Sequence, residues 1–285
     1  MKSETYEQAL RRGTQILKQS KIPEPRFEAE LFLSYVLDTS RIHLLIDQNV
    51  EMTEEQKKRY DQCLLKRSHH QPYAQIVGKK EFMGLDFIVT PDVLIPRPDT
   101  ENIVENALQV LKAMPQQKVR VLDLCCGSGA IGIAIAHYEK KAVVTGADLS
   151  VDALKIAKAN AQRNRTDISL IQSDLFQDLS ELYDLIVTNP PYIPTREIDE
   201  LSSDVKDFEP KMALDGGETG LDFYQSIFLK ASDYLTPGGM IICECGWNQV
   251  NEITCIAKNY DFSVQKVIRD LSGLDRGVVC RSLSH

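Results

Sequence analysis

The 285-residue chain has no run of about 18 or more apolar residues, so none of its segments reads as membrane-spanning. Its first residues, MKSETYEQALRR, lack the apolar core of a signal peptide, and the expected location is the cytoplasm. Among seven cysteines there is no C-x-x-C pair: Cys125 and Cys126 are adjacent, and Cys243 and Cys245 flank one residue of an apolar run. Structural metal sites draw on closely spaced cysteine pairs with further Cys or His. No metal is therefore expected, and the cysteines read as buried thiols in a reducing compartment. The five histidines offer no catalytic pairing, and Ser128 does not sit in a G-x-S-x-G nucleophile elbow. Internal repeats and low-complexity tracts are also missing.

What is present is an ordinary globular composition, 43% hydrophobic and 26% charged, at a length that suits one large domain and a smaller one. The net charge of −8 is unevenly spread. Up to Gln75 the chain carries 12 Lys/Arg against 11 Asp/Glu, and beyond it 21 against 30. An acidic larger part argues against a groove that tracks nucleic-acid phosphates. The one basic run, Lys57–Arg67 in KKRYDQCLLKR, reads as a solvated helix face or as a docking surface.

Thr5 to His70 has the apolar spacing of helices, with Ala9, Ile16 and Leu17 on one face and Phe27, Leu31 and Leu33–Tyr35 on another. Thr53 and Gln56 form a capping-box pattern. From Tyr73 to Pro98, β-formers interleave with Gly and Pro, which suggests a hairpin linker. Beyond Thr100, β-branched runs (KVRVLDL, AVVTGADL, ISLIQSD, YDLIVTN, GGMIICECG) alternate with amphipathic helical segments. The expected architecture is therefore a small helical domain over 1–72, a β-hairpin linker over 73–98 and a doubly wound α/β domain over 99–285. Ligands of such sheets bind at the carboxyl ends of the strands, near the switch point of strand order.

Two motifs fall at strand ends. VLDLCCGSGAIG contains a formal G-x-G-x-x-G from Gly127, and Asp148 follows Gly129 by 19 residues. That spacing matches a dinucleotide fingerprint with an acid for the ribose hydroxyls. Asp123, however, precedes the glycines, where a carboxylate would repel a pyrophosphate but could hold an ammonium. S-adenosylmethionine carries an ammonium, a sulfonium and no phosphate. The second motif, Asn189-Pro190-Pro191-Tyr192, ends a strand in a way no simple turn requires. An amide or aromatic amine is a poor nucleophile, and aiming its lone pair at a methyl carbon needs one acceptor per N–H. The Asn189 side-chain oxygen is one candidate. The Pro190 carbonyl is the other, its direction stiffened by its own ring and by Pro191. Tyr192 adds a flat stacking face.

Taken with LIPRPDTE, NPPYIP, DFEPKMALDGGETGLDFY and DLSGLDRGVV, these motifs make nearly the whole chain resemble the release-factor glutamine methyltransferase family of HemK/PrmC type. The resemblance implies a Rossmann-like S-adenosylmethionine-dependent methyltransferase domain with a mostly parallel sheet. It also implies methylation of the side-chain amide of the glutamine in the Gly-Gly-Gln motif of class-1 peptide chain release factors, with S-adenosylhomocysteine as product. Cys125, Cys126, Gly127, Ser128, Gly129 and Asp148 would hold the donor, Leu175 after Asp174 would lie against adenine, and Asn189 would touch both donor and substrate. Asn189, Pro190, Pro191 and Tyr192 would hold the glutamine, and the N-terminal helices would dock the release factor to a monomer with no stable nucleic-acid or membrane partner. The chain departs from the family in Cys125, where a glycine is common, and in Leu175, where an aromatic is often found. The alternative that Asn-Pro-Pro-Tyr leaves open is an adenine-specific DNA or RNA methyltransferase; a nucleotide-binding dehydrogenase on the Gly-rich turn is a more distant one.

Overall fold

In the computed structural model, which describes residues 4–283, the chain divides into two compact units, residues 4–78 with 202–208 and residues 79–201 with 209–283. The first is helical. Helix α1 (Tyr6–Gln19) opens on a capping box between Thr5 and Gln8, and α2 (Pro25–Leu37) starts with proline at its first turn, where no amide partner is lost. A short α3 (Arg41–Ile46) follows, then α4 (Glu54–Ser68), capped by the Thr53–Gln56 box, and α5 (Tyr73–Val77). Their apolar faces meet around Leu17, Phe32, Leu33, Tyr60 and Leu64, all buried. Burying each such side chain is worth roughly 1.5–3 kcal/mol. The Tyr60 hydroxyl donates to the Ala29 carbonyl at 3.2 Å, so its one polar atom is satisfied.

Two expectations change here. Tyr73–Val77 is helical, and the helical unit runs to Gly78 where residue 72 was the expected limit. Tyr73, Ile76 and Val77 pack on the helical core, and that burial overrides their β propensity until Gly78 in left-handed backbone ends the turn. The basic run is also not a uniform solvated face. Lys58, Arg59 and Lys66 are exposed, but Arg67 is buried and grips Glu28 with two hydrogen bonds of 2.6 and 2.9 Å. It also donates to the carbonyls of His70 and Gln71. The same unit takes in the short α9 (Ser203–Lys206), and the Gln75 amide donates to the Phe208 carbonyl.

The second unit begins with a hairpin of β1 (Lys79–Phe82) and β2 (Leu85–Ile88), closed by a two-residue turn at Met83–Gly84. It is shorter than the 73–98 span expected and is no free linker. Phe82, Leu85 and Phe87 join the core of this unit, and Asn160 exchanges hydrogen bonds with the Ile88 backbone. After α6 (Pro98–Ala113), strands and helices alternate: β3 (Val119–Leu124), α7 (Ala130–Tyr138), β4 (Ala142–Asp148), α8 (Val151–Arg163), β5 (Ser169–Gln172) and β6 (Tyr183–Thr188). A long loop leads to α10 (Asp222–Ala231), β7 (Leu235–Glu244), α11 (Val250–Asn259), β8 (Phe262–Arg269) and β9 (Asp275–Ser282).

These seven strands form one sheet in the order β5-β4-β3-β6-β7-β9-β8, parallel except for β9, which runs antiparallel to both neighbours. Apolar clusters cover both faces, so β3 and β6 are buried along nearly their whole length. From β3 the chain winds outward to β4 and β5, then returns to the other side of β3 with β6. Strand order therefore reverses between β3 and β6, whose last residues, Leu124 and Thr188, are register partners. No helix among the described residues is long and apolar enough to cross a membrane. Five cysteines are buried as expected, whereas Cys125 is half-buried and Cys255 is exposed.

The Arg67–Glu28 pair yields a stability prediction. Arg67→Ala strands a largely buried carboxylate and should cost about 3 kcal/mol, measured by urea denaturation followed by circular dichroism. A loss under about 1 kcal/mol, the size of an exposed ion pair, would contradict the burial argument.

Candidate active site

Three turns at the carboxyl ends of β3, β4 and β6 enclose a cavity of about 500 Å³ within the sheet unit. The first turn runs from Cys125 to Gly129. The Cys126 amide donates to the Ala147 carbonyl at 3.0 Å, and the Gly127 amide donates to Asp148 Oδ2 at 2.8 Å, which locks the turn to the end of β4. Gly127 lines the cavity, has φ +53°, and has nothing within 4 Å of where a Cβ would stand. Bare backbone at that point leaves room for a ligand to approach closely. Cys125, at φ 61°, and Leu175, at φ 50°, also hold left-handed backbone, which costs a non-glycine residue roughly 1–2 kcal/mol. Both face the cavity, the setting in which such strain concentrates.

Asp148 closes the second turn. Oδ2 accepts from Gly127 and Oδ1 accepts from the Ser150 amide at 2.9 Å, so the carboxylate is fixed in direction while each oxygen keeps a lone pair for a hydroxyl. Burial raises its pKa and the backbone donors offset part of that. Ser173, Asp174 and Leu175 extend the wall beyond β5, the Ser173 hydroxyl donating to the Leu175 carbonyl at 2.7 Å.

The third turn carries Asn189. Its side chain is half-buried, with Nδ2 donating to Thr100 Oγ1 at 3.5 Å, and Asn189 and Pro191 line the cavity. Pro190 is buried, and Tyr192 packs against the apolar cluster that contains Tyr224 and Cys245, with its phenol pushed up to about 12, chiefly by burial. A second loop clamps this turn from outside. The Gln249 amide donates to the carbonyls of Tyr192 at 2.9 Å and Gly220 at 3.3 Å. A Cβ on Gly216 would stand 2.7 Å from Tyr192 Cα, and one on Gly220 2.3 Å from the Tyr192 oxygen, so only glycine lets the two backbones meet. Asp215 ties the clamp down by accepting from the Thr195 hydroxyl at 2.6 Å and from the Gly217 amide at 3.1 Å.

A third segment, Asp92 to Thr100, forms another wall. The buried Glu209 carboxylate accepts from the Ile95 amide at 2.9 Å and pairs with Arg97. Sequence reasoning singled out neither this latch, nor Thr100, nor the Gly216–Gly220 clamp with Gln249. The signal for the clamp was there in DGGETG, whose glycines exceed what a connection needs.

Of the expected site residues, Cys125, Cys126, Gly127, Ser128, Asp148, Asp174, Leu175, Asn189 and Pro191 share this cavity. Gly129, Pro190 and Tyr192 stand in the same turns without lining it. Asp123 is the correction. It lies beneath the Gly-rich turn, 1% exposed, with Oδ2 accepting from the Gly132 amide at 2.7 Å and Oδ1 unpartnered. Its carboxyl holds the start of α7 and does not line the cavity where an ammonium would reach it.

The lining carries five aspartates, Asp92, Asp148, Asp174, Asp215 and Asp222, against one cation, Arg97, which is paired. Between them lie Leu94, Leu124, Ile131, Leu149, Leu175 and Phe223. Such a cavity suits a partly apolar, cationic ligand and disfavours a pyrophosphate.

Comparison with known proteins agrees with this geometry. Residues 8–78 match the PrmC N-terminal domain, and residues 102–203 match the methyltransferase small domain. The release factor glutamine methyltransferase of Clostridium acetobutylicum is 40% identical over 276 residues, 95% of this chain and 96% of its own. The chain belongs to the release factor glutamine methyltransferase family. A second relative of that name, from Koribacter versatilis, is 37% identical over 97% of this chain and 98% of its own. Among solved structures, a methyltransferase from Pyrococcus furiosus superimposes with a TM-score of 0.52 over 70% of this chain and 88% of its own at 21% identity, which shows the shared Rossmann-like methyltransferase fold.

Two buried carboxyls near the site give release factor glutamine methyltransferases of this sequence an unusual pH signature. Burial pushes Asp123 up to about 7. Glu244, at the end of β7 with Oε2 unpartnered, is also pushed to about 7 by burial. Unfolded, both titrate near ~4. The folded state therefore binds these protons more tightly, and the stability they contribute is full below about pH 4 and lost as pH rises through about 7. The carboxylates held low, Glu30, Asp215 and Asp270, act below that window. The melting temperature of the ligand-free protein should fall between about pH 5.5 and 7.5, and Asp123→Asn should flatten the fall. A melting temperature that rises over that range would contradict the assignment.

Proposed function

We propose that this protein transfers a methyl group from S-adenosylmethionine to the side-chain amide nitrogen of the glutamine in the Gly-Gly-Gln motif of class-1 release factors. The observation that carries this reading is the meeting of the Gly-rich turn and the Asn-Pro-Pro-Tyr turn in one acidic, partly apolar cavity. The residues present fit the donor: Gly127 offers a cradle without side chain, Asp148 offers two oriented oxygens for ribose hydroxyls, and Leu149 and Leu175 offer apolar contact for adenine. When bound there, S-adenosylmethionine supplies an electrophilic methyl on a sulfonium.

The chain's own part is positioning. Asn189 Oδ1 and the Pro190 carbonyl accept the two N–H bonds of the substrate amide, which turns its nitrogen lone pair toward the donor. Such fixed approach is worth effective molarities on the order of 10⁵ M in favourable cases. The same two acceptors stabilise the positive charge that grows on nitrogen. The amide nitrogen becomes acidic as it is alkylated, so its proton can pass to water without a strong base. The Gly216–Gly220 clamp with Gln249 fixes the backbone that carries both acceptors, and Tyr192, packed on the core, anchors the end of that turn.

The helical unit is the part we assign to gripping the release factor, in the cytoplasm where that partner works. Its exposed apolar side chains Ile42, Leu45, Ile46 and Leu65 suit the task better than the basic run, whose Arg67 is spent on Glu28.

Incubation with purified release factor and methyl donor, followed by mass spectrometry of the Gly-Gly-Gln peptide, should show one added methyl on glutamine. Asn189→Ala should reduce the rate on the order of 100-fold or more, the scale for removing one oriented polar partner. Methyl transfer to adenine in DNA or RNA, with none to the release factor, would overturn the reading.

A further inference from the structure

The Gly-rich turn does not hold its own shape. Cys125, Gly127 and Gly129 all stand in left-handed backbone, at φ 61°, 53° and 77°. Glycine takes up many other conformations as readily, and Cys125 is there against its own preference. The Cys126 and Gly127 amides tie one side of the turn to the end of β4. On the other side stands the carbonyl of Ser128, a residue only 4% exposed, and a carbonyl buried in this way needs a donor within the protein.

That donor is Asn160. It lies on α8, is 0% exposed, and has both N–H groups of its amide committed. Nδ2 donates to the Ser128 carbonyl at 2.9 Å and to the Ile88 carbonyl at 3.2 Å, while Oδ1 accepts from the Ile88 amide at 2.6 Å. The two carbonyls decide which way round the amide sits, since turned over it would set its oxygen against both. A second contact falls one turn earlier on α8. A Cβ on Gly129 would stand 3.2 Å from Ala157 Cβ and 2.9 Å from Ile133 Cδ1, so α8 and α7 both bear on the bare backbone there. From Ile88 the chain runs on to Asp92, Val93 and Leu94 in the cavity wall.

We infer that Asn160 is a positioning residue for the methyl donor: its buried amide pins the Ser128 carbonyl to the end of the hairpin and so holds the Gly-rich turn in the shape that receives S-adenosylmethionine. This rests on the reading of that turn as the donor site given above. Asn160 does not line the cavity, so it acts through the backbone of Ser128 and Gly129. Without its N–H groups the Ser128 carbonyl is left buried and unpartnered, a state that the chain escapes by moving. Gly129 lets the peptide between them rotate at little cost, and the turn then loses the bare backbone that Gly127 offers to a ligand. The same amide makes the end of β2 a support of the donor site.

Two substitutions in the full chain test this. Asn160→Asp keeps the shape and the acceptor for Ile88 but, ionised, offers no N–H or O–H to Ser128. Asn160→Ser removes the same donors without adding a charge, and carries the same expectation should Asn160→Asp not fold. Thr236→Val is the control, since it deletes a 2.9 Å hydrogen bond to Asp184 near the start of β6, away from the cavity. Calorimetric titration with S-adenosylhomocysteine should show affinity lowered on the order of 10-fold or more in the Asn160 variants, the scale of a buried carbonyl left without its donor. Affinity should be unchanged in Thr236→Val. In ¹⁵N-labelled, ligand-free protein the Gly127 and Gly129 amides should exchange with solvent on the order of 10-fold faster in the Asn160 variants, read against the amides of β3 as internal reference. Asn160 variants that bind S-adenosylhomocysteine as tightly as the wild type, or whose turn amides exchange no faster, would overturn the inference. An equal loss of affinity in Thr236→Val would overturn it too, by marking the effect as general destabilisation. If the wild type binds no S-adenosylhomocysteine, or Asp148→Ala binds it as tightly as the wild type, the reading of the cavity fails instead, and the exchange rates still decide whether Asn160 holds the turn.

Discussion

The site depends on the parallel pairing of β3 with β6. Leu124 and Thr188 are register partners, so the Gly-rich turn and the Asn-Pro-Pro-Tyr turn leave the sheet side by side. Nothing in either motif requires the other to be near. They meet because the chain winds from β3 to β4 and β5 and then returns to the opposite side of β3, which opens a crevice at the point of reversal. A slip of one residue in that register would turn every β6 side chain to the other face and destroy both the core and the site.

On that frame the protein builds rigidity from backbone contact. The Gly216–Gly220 loop approaches Pro191 and Tyr192 closely enough that a Cβ would collide, and Gln249 staples the two backbones from α11's start. Glu209 does the same for the segment before α6 by accepting from Ile95 and Arg97. The chemistry asks little of acids and bases but much of geometry, and the strained backbone at Cys125 and Leu175 is consistent with a cavity whose shape is held against local preference. Its excess of aspartates over arginine sets the sign of ligand that the cavity accepts.

Much of this was legible in the sequence. The alternation of β-branched runs with amphipathic segments located the sheet strands, because buried parallel strands must be apolar and their crossovers helical. Asn189 and its prolines were legible because proline stiffness is local. What escaped notice depends on partners far along the chain. Gln249 reaches Tyr192 across 57 residues, Glu209 reaches Arg97 across 112, and Asn189 reaches Thr100 across 89. Asp123 was expected at the ligand because a carboxylate before the glycines could hold an ammonium; it accepts from the amide of Gly132 instead, away from the cavity lining. Tyr73–Val77 and Arg67 were misread for a related reason, since their roles follow from burial against the helical core and Glu28, which no local pattern announces.

The central claim is that Asn189 Oδ1 and the Pro190 carbonyl together hold the amide that receives the methyl group. A crystal structure with S-adenosylhomocysteine and a Gly-Gly-Gln peptide tests it most directly. The account predicts the glutamine nitrogen within about 3 Å of both oxygens, the usual reach of an N–H···O bond, and facing the thioether sulfur. A glutamine amide bound elsewhere in the cavity, with Asn189 turned to present its nitrogen, would contradict it.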